Sequence, residues 1–144
     1  MIGAWKLASY VEKPVDGSPT TYPLGENPKG LILYTPDGYM SAQLMAPDRA
    51  PFASGDWFDG TTDEYRQEAS TYIAYSGAYY VDEDKQALFH SMHVSLFPNW
   101  TGQTQQRIVS LEGNVLHLSS AESIMSGGQE VMSYLEWRRA KASS

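Results

Sequence analysis

Apolar side chains recur at every second position through most of this chain, and Pro, Gly, Asn or Asp interrupts the pattern at short intervals. A strand sends successive side chains to opposite faces, so such alternation predicts half-buried β-strands joined by turns. The first strand places Trp5, Leu7, Ser9 and Val11 on one face, and Pro14, Asp16, Gly17 and Pro19 end it. Residues 30–35 (GLILYT) and 39–45 (YMSAQLM) flank Pro36-Asp37-Gly38, a tight-turn sequence, and predict a hairpin. Further strands are predicted at 72–81, 86–97, 103–111, 115–121 and 129–137, each bounded by turn residues. Gly77, in the middle of one run, marks a bulge or a close backbone approach.

One segment breaks the alternation. Residues 46–60 (APDRAPFASGDWFDG) read as a loop carrying Phe52, Trp57 and Phe58. Thr61-x-x-Glu64 fits a capping box and predicts a helix over residues 62–71. Loop and helix together form either a lid that lays Trp57 over a cavity mouth or an outer plug of the core. The polar tail, residues 138–144, is expected to fray. The whole chain, residues 1–144, is one all-β domain of about eight to nine antiparallel strands with one short helix. The spacing alone leaves a sandwich and an up-and-down barrel open.

Two polar groups stand where the pattern calls for apolar ones. Residues 88–111 read LFHSMHVSLFPNWTGQTQQRIVSL. His90 shares its parity with Leu88, Met92, Val94 and Leu96, and Arg107 shares its parity with Val109 and Leu111. Apolar faces exclude such groups unless they are paired or used. An imidazole suits proton transfer near neutral pH, and a guanidinium suits a carboxylate, phenolate or enolate oxygen. His90 is therefore a candidate acid–base group and Arg107 a candidate oxyanion holder. Tyr34, Met92, Trp100, Val109 and Trp57 are the candidate ligand contacts. The plainer alternatives are a core histidine satisfied by a tyrosine hydroxyl or a backbone carbonyl, and an arginine either buried against an acid or turned outward by a one-residue slip of register. His93 and His117 fall on the opposite parity and read as solvent-facing, so three histidines do not converge on a metal.

Composition narrows the field further. The net charge is −7, from 17 acidic against 10 Lys and Arg residues, which argues against a nucleic-acid partner. The absence of cysteine excludes disulfides, thiolate metal sites and thiol nucleophiles. No apolar run reaches the roughly 20 residues of a membrane span. No secretory leader pattern opens the chain, so a soluble, cytoplasmic protein is expected. No phosphate loop, dinucleotide fingerprint or nucleophile elbow occurs, and neither a cofactor nor a metal is expected. The ten Tyr and four Trp suit a ligand cavity as well as ordinary sheet packing.

The motifs GAWKLASY near the start, GLILYTPDGYMSAQL, YSGAYYVD, the segment holding His90 and Arg107, and LEWRR at the end resemble the small lipocalin-like domain family found in bacteria and fungi. The resemblance spans nearly the whole chain. It implies a single antiparallel β-barrel around a cavity for one small ligand. It also implies an arginine, Arg138 or Arg139, closing the barrel floor over Trp5. Members often carry paired histidines where this chain has His90-Ser91, which puts in doubt any chemistry needing both imidazoles. Some members are encoded among natural-product biosynthesis genes.

Three functions follow. One is a cofactor-independent isomerase, cyclase or dehydratase acting on a hydrophobic, oxygenated intermediate, with His90 moving a proton and Arg107 holding the oxyanion. The second is a binding or carrier protein for a hydrophobic small molecule. The third is a scaffold with a filled core. The sheet edges and barrel faces are compatible with a homodimer but do not select one.

Overall fold

The computed structural model describes residues 1–143. Nine strands and one α-helix follow the order β1 (Gly3–Pro14), β2 (Lys29–Tyr34), β3 (Tyr39–Met45), α1 (Thr62–Ser70), β4 (Tyr72–Asp82), β5 (Ala87–Ser95), β6 (Thr104–Glu112), β7 (Val115–Ser120), β8 (Ile124–Ser126) and β9 (Gln129–Arg139). Each strand from β1 to β7 pairs antiparallel with the next, β7 pairs with β9, and β9 returns to β1. Eight strands thus close a barrel, and closure removes the unpaired edges of an open sheet. The short β8 pairs with β9 beyond the reach of β7. It was not evident in the alternation, because three residues carry too little pattern.

Local chemistry explains the connections. Gly38 adopts φ 93° in the β2–β3 turn, where the left-handed region favours glycine. At the start of α1 the Glu64 amide donates to Thr61 Oγ1 at 3.2 Å, and the Thr61 amide donates to Glu64 Oε1 at 2.9 Å. This is the capping box read from the sequence. None of the α1 residues is buried, so the helix lies outside the barrel wall.

Two bulges reset the faces. In β1 the register shifts between Leu7 and Ser9, leaving Ala8 as the extra residue. Trp5 and Leu7 point inward before it; Tyr10, Glu12 and Pro14 point inward after it. The expected face of Trp5, Leu7, Ser9 and Val11 is therefore corrected beyond Leu7. In β5 the extra residue is His93, because Ser76 pairs with Val94 while Gly77 pairs with Met92. Leu88, His90 and Met92 face inward, but Val94 and Leu96 turn to solvent at 53% and 41% exposure. Gly77 makes this possible: a Cβ there would sit 1.7 Å from the Ser91 carbonyl oxygen.

The closed end holds Trp5, Ile32, Leu116 and Trp137. The Arg139 guanidinium lies 4.2 Å from the Trp5 ring centroid and donates to the Ile2 carbonyl at 3.0 Å. Arg139, rather than Arg138, caps the floor. Both arginines belong to β9, so the tail expected to fray from residue 138 is strand through Arg139. Ser144 lies outside the described residues.

Candidate functional site

A cavity of about 850 Å³ opens at the end opposite Trp5, within the size range of small-molecule sites. Tyr10 and Glu12 of β1, Tyr75 of β4, Gln105 and Arg107 of β6 and Leu135 of β9 line it. Ala69 and Ser70, at the end of α1, border the mouth together with residues 121–126.

One wall is aromatic. A single helical turn at Pro98–Trp100 lays Trp100 edge-on to Tyr75 at 5.4 Å between centroids and to Phe97 at 4.8 Å. Such edge contacts fix large apolar surfaces in place. Trp100, a candidate ligand contact, thus borders the cavity.

Arg107 faces inward on β6 between Gln105 and Val109, so the outward register is excluded. It donates to the Gln105 side-chain oxygen at 2.7 Å and to the Gln106 carbonyl at 3.3 Å. Among the described residues no carboxylate comes within ion-pair distance of it, which removes the buried-pair alternative. Its charge opposes the effect of burial on Tyr75, whose phenol burial raises above the ordinary value. Arg107 is therefore a half-buried cation in a cavity wall, without a carboxylate partner among the described residues.

His90 has a different setting. The ring is fully buried and is not part of the cavity lining. Nε2 lies 2.8 Å from the Tyr34 hydroxyl, and Nδ1 has no partner among the described residues. Burial, with the nearby Arg107 charge, pushes its pKa down to about 3. At neutral pH it is an uncharged core group. Tyr34 is buried beside it, its phenol raised well above the ordinary range mainly by burial. The ring expected to move a proton therefore lies behind the cavity wall, without contact to its interior.

The remaining candidates divide. Tyr34 and Met92 are core residues, and Val109 packs against that core; none of the three borders the cavity. Trp57 is 85% exposed, as is Phe58, so neither covers the mouth nor plugs the core. Phe52 alone of the three loop aromatics packs, edge-on to Tyr65 at 5.2 Å. His93 is exposed, and His117 sits on the outer face 3.9 Å from Glu136.

Sequence reading missed Tyr10 and Glu12. The Tyr10 hydroxyl donates to Glu12 Oε2 at 2.9 Å, and Ser126 of β8 donates to Glu12 Oε1 at 2.7 Å. Burial first, then the Glu12 charge, raises the Tyr10 phenol pKa. The bulge at Ala8 hid both residues, because strict alternation put them outside.

A closed antiparallel barrel with a cavity of mixed polar and apolar lining at one end defines a class of small-molecule-binding barrels. The chain belongs to the lipocalin-like domain family, whose model matches residues 2–140. Over 106 residues it is 33% identical to the 4'-hydroxy-3'-methoxypropiophenone carrier protein ppsC of Aspergillus oryzae, a match taking in 69% of this chain and 96% of that protein. No helix of the described residues is long and apolar enough to cross a membrane.

Proposed function

We propose that this protein binds and carries an oxygenated aromatic small molecule, of the aryl ketone kind, in natural-product biosynthesis, and releases it unchanged. The observation that carries this reading is the placement of Arg107. An unneutralised guanidinium faces a cavity with one aromatic wall, while the imidazole expected to move protons lies outside that cavity and uncharged. The aromatic wall of Phe97, Trp100 and Tyr75 supplies apolar contact to a flat ring. Arg107 supplies the donor for a carbonyl oxygen. The related carrier from Aspergillus oryzae is named for a hydroxylated aryl ketone, which has those two features.

Isothermal titration with 4'-hydroxy-3'-methoxypropiophenone tests the reading. One-to-one binding in the micromolar range or tighter is expected, with the ketone recovered intact after prolonged incubation. No binding, or conversion of the ketone, overturns it.

A further inference from the structure

Glu12 is a charged residue to which the carrier reading gives no role. It is only 3% exposed, yet it borders the cavity. Among the described residues no Lys, Arg or His lies within ion-pair distance of it. A buried carboxylate without a cation is costly unless donors fill its oxygens. Tyr10 and Ser126 provide one donor each, on different oxygens. A carboxylate oxygen accepts two hydrogen bonds, so each keeps one free position. Arg107 stands in the converse state, a cation in the same cavity with neutral acceptors and no acid. The two opposite charges share one cavity without neutralising each other. Convergent polar groups in a binding cavity fix the orientation of whatever enters it.

We infer that Glu12 and Arg107 are the two poles of one ligand site: Glu12, held by Tyr10 and Ser126, accepts a hydrogen bond from a hydroxyl of the ligand, and Arg107, with Gln105, donates to a carbonyl or other acceptor oxygen. The cavity therefore selects aromatic molecules with a phenolic hydroxyl on one side of the ring and a carbonyl on the other. The assignment rests on the carrier reading. It also gives β8 a purpose. This strand pairs with β9 outside the eight-stranded ladder, and its Ser126 reaches across to fix the Glu12 carboxylate.

The test is a cycle of titrations. Three probes are used: 4'-hydroxyacetophenone, its methyl ether 4'-methoxyacetophenone, and 4-ethylphenol, which lacks the carbonyl. They are titrated into the wild-type protein and into Glu12→Ala, Glu12→Gln and Arg107→Met, each checked for the native circular dichroism spectrum. Methylating the hydroxyl weakens wild-type binding about tenfold or more, the usual effect of losing a hydrogen bond to a charged group. In Glu12→Ala the phenol and its ether bind alike, within about threefold. In Glu12→Gln, which keeps the size of the side chain, the preference is reduced. Arg107→Met loses discrimination between the ketone and 4-ethylphenol but keeps that between phenol and ether. Equal wild-type affinity for phenol and ether, or an undiminished preference in Glu12→Ala, overturns the assignment and leaves the carrier reading standing. If Glu12→Ala does not fold, an undiminished preference in Glu12→Gln has the same force. Failure of the wild-type protein to bind any of the three probes overturns the carrier reading and this assignment with it.

Discussion

The Tyr34 hydroxyl and His90 Nε2 lie 2.8 Å apart in a layer of the barrel that solvent does not reach. The pair makes His90 a structural residue with a pH signature. Its folded pKa of about 3 lies below the ordinary 6.5, chiefly because burial disfavours the charged ring. As pH falls below 6.5 the unfolded chain takes up a proton that the folded one refuses until about 3. The stabilisation is therefore complete above 6.5 and is lost progressively as pH falls towards 3. The limiting slope is about 1.4 kcal/mol per pH unit. Denaturant titrations from pH 8 to pH 5 measure it. His90→Gln, which keeps a partner for Tyr34, is expected to show a shallower pH dependence than wild type by about that slope.

Gly77 is the next test, because it lets β4 and β5 close over the bulge at His93. A Cβ at Gly77 would meet the Ser91 carbonyl oxygen at 1.7 Å and the His93 amide nitrogen at 2.9 Å. Both neighbours are backbone, so neither can swing aside. Gly77→Ala is expected to cost about 3 kcal/mol or more, or to prevent folding, as read from the urea midpoint.

The fold was legible in the sequence because its signal is repeated. Alternation, the Pro36-Asp37-Gly38 turn and the Thr61–Glu64 capping box each gave an element close to where it stands. The site was legible only in part. Arg107 lies on a strand whose parity holds and Trp100 in the turn before it, and both line the cavity. Tyr10 and Glu12 follow a bulge that inverts parity, so the rule that found Trp5 hid them. Val94 and Leu96 failed for the same reason on β5. His90 was placed on the correct face, but period-two patterning tells inside from outside and not depth along the barrel. Depth separates a core imidazole from one lining the cavity.

Trp57 and Phe58 give a prediction of no effect. Both are 85% exposed, on a loop that packs through Phe52 instead. Replacing the pair by serine is expected to change stability by no more than about 0.5 kcal/mol per site. Ligand affinity in the same titrations should stay within about twofold of wild type. A larger loss of affinity would restore the lid.

Arg107 is expected to resist conservative replacement. Lysine keeps the charge but loses the planar fork that now spans the Gln105 oxygen and the Gln106 carbonyl. Arg107→Lys should weaken aryl ketone binding about tenfold, with little change in melting temperature, because no carboxylate is left unpaired. Calorimetry and thermal denaturation on the same samples separate the two effects.

On the proposed function the cavity holds a molecule without transforming it. Native mass spectrometry of the protein isolated from its own host addresses this most directly. One oxygenated aromatic molecule per chain is expected, unchanged in mass after long incubation and displaced one for one by an added hydroxyaryl ketone. A retained molecule whose mass changes on the protein, or a chain that carries nothing and takes up no ketone, contradicts it.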